Sequence, residues 1–118
     1  MERLNQFYID GKWVAPVSDL NMPVINPATE RQVGTVALGI REDVDHAVAA
    51  AKAAFGSYSV SSKTMRIDLL HKVKDITKRR FEDLAQAMRV EMGAPITMSR
   101  NAQTDAALGH LESFIDAL

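Results

Sequence analysis

Residues 41–56 read Arg-Glu-Asp-Val-Asp-His-Ala-Val-Ala-Ala-Ala-Lys-Ala-Ala-Phe-Gly, and here the hydrophobic period of the chain changes from two to 3.6. Val44, Val48, Ala51 and Phe55 stand at i, i+4, i+7 and i+11, one face of a helix. Ala47, Ala49, Ala50, Ala53 and Ala54 fill most of the other faces, so the helix is apolar nearly all round and is expected to be packed on more than one side. Glu42 and Asp43 suit the positive end of the helix dipole, and Gly56 is the expected stop.

Upstream of this stretch the chain reads as strands and turns. Phe7-Tyr8-Ile9 and Lys12-Trp13-Val14 are short β-prone runs around Asp10-Gly11. An Asp-Gly pair in that position predicts a hairpin, because a type I′ turn needs positive φ at both central residues. Pro16, Ser18, Asp19 and Asn21 mark a loop. Val24-Ile25 is a second short strand stopped by Asn26-Pro27, and Val33 to Leu38 alternates weakly after the polar turn Thr29 to Gln32. Two consecutive hairpins are expected.

Downstream, Ser57 to Ser62 is a polar linker, and Ser61 or Ser62 can cap the next helix. Leu69, Leu70, Val73, Ile76 and Thr77 form a stripe that Phe81, Leu84, Ala85 and Met88 continue. The reading is one long helix or two end to end, with a joint near Lys78-Arg79-Arg80. Gly93 ends it and Pro95 follows. A last helix starts near Thr97, with Ala102, Leu108, Leu111, Ile115 and Leu118 facing one way and Phe114 beside them. The pattern stops in mid-helix at Leu118 without a cap, and Asp116 is unfavourable there. On this reading the chain is a truncated piece of a larger fold.

Composition excludes several classes of function. There are 0 cysteines, which rules out a disulfide framework, thiolate metal ligation and a Cys nucleophile within these residues. The net charge of −1 offers no single-sign field for nucleic acid or an anionic membrane. Lys72, Lys74, Lys78, Arg79 and Arg80 are interleaved with Asp68, Asp75, Glu82 and Asp83, which reads as a solvated helix face. His46, His71 and His110 share no metal-ligand spacing, and Trp13 reads as a hairpin anchor. No run approaches the roughly 20 apolar residues of a membrane helix. Met1 to Gln6 shows no basic-then-apolar signal segment, so a soluble cytoplasmic protein is expected.

Several blocks, in order, resemble the start of the aldehyde dehydrogenase superfamily. Tyr8-Ile9-Asp10-Gly11-Lys12-Trp13 resembles its first hairpin and Asn26-Pro27-Ala28-Thr29 its Asn-Pro-Ala-Thr-Gly-Glu turn. Asp43-Val44-Asp45-His46-Ala47-Val48 resembles its Asp-Val-Asp-x-Ala-Val helix start, with Ala53-Ala54-Phe55 following. Arg66-Ile67-Asp68-Leu69-Leu70 and Glu91-Met92-Gly93-Ala94-Pro95 resemble the later helix and its Gly-Lys-Pro ending. The sequence departs from the pattern in three places. The Gly between Thr and Glu is missing after Thr29, Ile40 stands where a Ser or Thr cap is common, and Ala94 replaces Lys.

The resemblance implies an α/β parent fold with a Rossmann-type cofactor domain. This chain would be its α+β amino-terminal part: hairpins over 1–40, then three or four helices over 41–118 belonging to the cofactor-binding domain. The implied reaction oxidises an aldehyde to a carboxylic acid with NAD or NADP. A Cys attacks the carbonyl, an oxyanion hole holds the developing charge, and a Glu activates the deacylating water. The resemblance places all of these, and the Gly-rich cofactor loop, beyond Leu118. The six glycines here are scattered, and Glu91 is not in the catalytic Glu motif. No catalytic or cofactor-binding residue is therefore expected in this chain, which should be inactive alone.

Two peripheral sites are implied. Carbonyls of Val24 and Ile25 with the Glu91 carboxylate would contribute to a structural monovalent cation site in the full-length protein. Ala102 and Ala106 would border the substrate entrance, or else simply let helices pack closely. The implied partners are the remainder of the fold and further copies in a homo-oligomer, with no nucleic acid and no membrane. The alternative is a non-catalytic α+β interaction module. A fragment should expose apolar surface that the rest of its domain would cover, whereas a self-sufficient module should not.

Overall fold

The computed structural model describes residues 5–118. The reading that Met1 to Gln6 holds no signal segment falls largely on residues 1–4, which lie outside the described residues. The chain forms two hairpins followed by helices, and it divides into two compact units. The first comprises Met1–Ile25 and Arg31–Val60, the second Asn26–Glu30 and Ser61–Leu118.

In the first unit, β1 (Phe7–Ile9) and β2 (Lys12–Val14) pair antiparallel in the register Phe7↔Val14, Tyr8↔Trp13, Ile9↔Lys12. Asp10 and Gly11 take φ of 51° and 74°, as the type I′ turn demands. Tyr8 and Trp13 meet across the ladder with ring centroids 5.2 Å apart. β3 (Asn21–Asn26) pairs with β4 (Arg31–Ala37). Asn21 thus belongs to a strand and not to the loop. The Leu38 N–H donates to the Leu20 carbonyl at 2.9 Å, which closes the base of this second hairpin.

The helix α1 spans Arg41–Tyr58, two residues past the expected stop at Gly56. Ser57 and Tyr58 remain helical, and the Ser59 N–H still donates to the Phe55 carbonyl at 2.9 Å. Ile40 is the N-cap residue and has no side-chain acceptor. Asp43 supplies the missing half from inside the first turn. One carboxylate oxygen accepts from the Ile40 N–H and the other from the Val17 N–H, each at 2.9 Å. Asp43 is 6% exposed, so it is a buried tie between loop and helix as well as a dipole partner.

The expectation that α1 is packed on more than one side is not met. Asp43 is its only buried residue, and the helix packs chiefly against β1, with the Val17 loop tied to its first turn. A hairpin of three-residue strands is too small to cover an 18-residue apolar helix.

In the second unit the joint falls at Arg80, between α2 (Lys63–Arg79) and α3 (Phe81–Met92). Ser62 is the cap of α2, its hydroxyl accepting from the Met65 N–H at 3.1 Å, while Ser61 accepts from the Arg66 side chain at 2.9 Å. The apolar stripe expected on α2 is split. Leu70, Lys74 and Thr77 are half-buried, and α2 packs against α5. Leu69, Val73 and Ile76 remain exposed. Lys74 reaches Glu112 on α5 at 2.6 Å, a pairing across 38 residues that helical spacing does not forecast. Lys74 holds the Glu112 carboxyl below its ordinary range.

The last helical run starts at Ile96, after Pro95, so Thr97 lies inside it and not at its cap. It proceeds through α4 (Ile96–Met98) and a π-helical segment (Ser99–Thr104) into α5 (Asp105–Ala117). The wider turn stacks residues five apart, where an α-helix would splay them. That puts Ser99 and Thr104, both fully buried, together against α3, whose Ala85 is also fully buried. It also breaks the α-periodicity that grouped Ala102 with Leu108, Leu111 and Ile115. Those three are half-buried and Ala102 is exposed.

Among the described residues only Ala37 and Ala85 are buried apolar side chains. The chain exposes 8643 Å². Within each unit large apolar side chains lie bare, Val44, Val48 and Phe55 on α1 and Leu69, Val73 and Ile76 on α2. This is what a part of a larger fold shows, and it speaks against a self-sufficient interaction module.

Candidate functional site

Val24 and Ile25 are neighbours on β3 in the first unit, the former half-buried and the latter exposed. Glu91 is the penultimate residue of α3 in the second unit and is half-buried. Two carbonyls and one carboxylate are fewer oxygens than the six or more that a hard cation such as calcium takes. No group of three or more His, Cys, Asp or Glu side chains suited to a metal occurs among the described residues. These positions can contribute to a cation site only with oxygens from elsewhere.

Ala102 lies in the π segment and Ala106 on the first turn of α5, both exposed. Sequence reasoning found these alanines but not the segment that carries one of them. Its geometry is fixed by polar groups. Arg100 clamps Glu82 of α3 with two bonds, of 2.9 and 2.7 Å. This Arg100 bond, together with Gln86 at 2.8 Å, holds the Glu82 carboxyl down at about 2. Thr104 donates to the Met88 sulfur at 3.8 Å. The Ser99 hydroxyl and the Gln103 side-chain carbonyl are buried on the same segment without a protein partner. No residue pattern announces the π segment, whose side-chain partners Glu82 and Met88 on α3 lie 18 and 16 residues upstream.

The second hairpin's turn, Asn26–Glu30, joins the helical unit. The Asn26 side-chain oxygen accepts from the Ala28 N–H at 2.8 Å, and its backbone carbonyl accepts from the Glu30 N–H at 2.8 Å. Glu30, directly after Thr29, takes φ of 56° and so supplies the left-handed residue of the turn. Gly93, just past α3, has φ of 66° and lies against this turn. A Cβ there would come 2.8 Å from the Ala28 nitrogen and 2.9 Å from Pro27. Two of the sequence blocks that carried the resemblance are thus in direct contact.

A nicotinamide dinucleotide needs a glycine-rich loop opening onto a helix N-terminus. The described residues offer none, and at the start of α1 the Asp43 carboxylate already takes the place an incoming phosphate would need. No helix among the described residues is long and apolar enough to cross a membrane.

The aldehyde dehydrogenase family model matches residues 13–118. A 3-succinoylsemialdehyde-pyridine dehydrogenase from a Pseudomonas species is 43% identical over 111 residues, covering 93% of this chain and 23% of that protein. An aldehyde dehydrogenase from Bartonella henselae superposes with a TM-score of 0.94 at 38% identity, over 96% of this chain and 24% of that one. Aldehyde dehydrogenase C from Pseudomonas syringae, solved with NAD+ and octanal, gives 0.94 at 43% identity, over 97% and 24%. This chain therefore spans about a quarter of the relatives it matches, and it belongs to the aldehyde dehydrogenase family.

Proposed function

We propose that this chain is the amino-terminal scaffold of an NAD(P)-dependent aldehyde dehydrogenase, which as a whole oxidises an aldehyde to a carboxylic acid. The observation that carries the reading is the superposition on the NAD+- and octanal-bound relative at a TM-score of 0.94. The bare faces of α1 and α2 support it, since they need a covering that this chain does not supply. The nucleophilic Cys, the general-base Glu and the cofactor loop come from the remainder of the fold. The proposed division is hairpins over 1–40 and the start of the helical cofactor-binding part over 41–118. The assembled protein is proposed to be a soluble, cytoplasmic homo-oligomer.

The test is a chimera in which this chain replaces the matching quarter of the Pseudomonas syringae enzyme. NADH formation from octanal is expected from the chimera and not from the isolated chain. A chimera that fails to assemble, beside a parent that does, would overturn the reading.

In such a protein Ala102 and Ala106 border the substrate entrance, a placement supported by their exposure and by the π segment, a feature frequent at functional sites. Ala102→Trp in the chimera should lower kcat/KM for bulky aldehydes more than for acetaldehyde. Equal loss for both would sink the assignment. The Val24 and Ile25 carbonyls with Glu91 are proposed as part of a monovalent cation site. Thermal stability of the chimera should then differ between potassium and lithium, and Glu91→Gln should erase the difference.

A further inference from the structure

We infer that the π segment Ser99–Thr104 is a register-setting device: it carries one residue more than an α-helix would need, and that residue sets the phase in which α5 meets α2. The burial along 96–117 records it. Ile96 is half-buried and Ser99 fully buried, so these two mark the inward side at the start of the run. At about 100° per residue, an unbroken α-helix would carry that side on to His110 and Phe114. It would aim Thr104, Leu108, Leu111 and Ile115 about 90° or more away from it. The reverse is seen. His110 and Phe114 are exposed, Thr104 is fully buried, and Leu108, Leu111 and Ile115 are half-buried. The inward side has slipped by one residue.

A π turn supplies that slip. Its hydrogen bonds close over five residues instead of four, so the chain takes in one extra residue without advancing its phase. Beyond the segment, each residue points where its predecessor would have pointed in a straight α-helix.

Phase matters because both ends of the run are tied to other helices. At the near end, Arg100 holds Glu82 of α3 with bonds of 2.9 and 2.7 Å, and Thr104 donates to the Met88 sulfur. At the far end, Lys74 of α2 meets Glu112 at 2.6 Å. The same sequence wound as plain α-helix would turn α5 by about 100° against its near end. Glu112 would leave Lys74, and His110 and Phe114 would replace Leu111 and Ile115 against α2. The segment is costly in itself. The Ser99 hydroxyl and the Gln103 side-chain carbonyl are buried on it without a protein partner, and unpaired buried polar groups are destabilising. Its value therefore lies in the alignment of the two ends.

The test is a pair of single-residue deletions in the 118-residue chain, followed by far-ultraviolet ellipticity in urea. Removing Asn101, an exposed residue of the segment, should restore an α turn with both ends still docked. Its unfolding midpoint is expected at or above that of the wild type. Removing His110, an exposed residue of regular α5, throws Glu112 and Ile115 out of phase with α2 and should lower the midpoint. A deletion at 101 that loses as much as the deletion at 110 overturns the proposal. So does a deletion at 110 that loses nothing.

The register has its own check. Leu111→Ala should lower the midpoint by the same amount in the wild type and in the chain lacking Asn101, because Leu111 faces inward in both. Any other outcome overturns the register.

Discussion

The two hairpin turns solve the same backbone problem with different resources. Asp10-Gly11 stands free: both residues have positive φ, and a Cβ on Gly11 would meet nothing within 4 Å. Asn26–Glu30 also needs a left-handed residue, but that residue is Glu30 and not glycine, and the turn is held from outside. The Asn26 side chain gathers the turn, and Gly93 lies against it from the end of α3. A free turn must carry its whole instruction in its own two residues. A docked turn can tolerate a poor local residue, because a distant contact over-determines its shape.

If this contrast is right, the largest effect belongs to Gly93. Gly93→Ala must hold an L side chain at positive φ and also push into the Ala28 nitrogen, so a loss of about 3 kcal/mol is expected in urea unfolding. A loss below about 1 kcal/mol would mean the docking is dispensable. Asp43→Ala comes next, since it orphans the Val17 and Ile40 N–H groups, at a cost of about 2 kcal/mol. Gly11→Ala meets no neighbour and should lose only the left-handed penalty, about 1 kcal/mol. Glu30→Gly should have the opposite sign, a gain of about 0.5–1 kcal/mol as strain is relieved. No gain there would show that the docked turn carries no strain.

The smallest effect is a pH dependence. Glu82 ionises near 2 in the folded chain because Arg100 binds its charged form, against 4.5 as the reference. A depressed carboxyl stabilises the fold above 4.5, and the contribution fades as pH falls from 4.5 through 2. Both groups are exposed, so the change should be slight. Acid titration of helicity should show it in the wild type and not in Arg100→Ala.

The same contrast explains what was legible in the sequence. The Asp10-Gly11 hairpin, the break at Arg80, the Ser62 cap and the Gly93 stop are each written in one to four adjacent residues. The reach of Asp43 back to Val17, the Lys74–Glu112 pair and the π segment depend on partners far along the chain. Periodicity therefore mis-assigned Ala102 to the face of Leu108 and placed the start of the last helix at Thr97. Apolar periodicity read α1 as packed on more than one side and α2 as one stripe, yet α1 and Leu69, Val73 and Ile76 of α2 stay exposed within these residues. Of the candidate sites, Val24, Ile25, Glu91, Ala102 and Ala106 came from the resemblance alone, and no local chemistry marks them.

The Tyr8–Trp13 pair gives the chain a reporter of its own. Trp13 is the only tryptophan, and it sits in a three-residue strand of the first unit, while α2, α3 and α5 belong to the second. Indole emission therefore follows the first unit, whereas far-ultraviolet ellipticity is weighted towards the second. Recording both during one denaturation tells whether the two units melt as a single cooperative body or one after the other, with no label added.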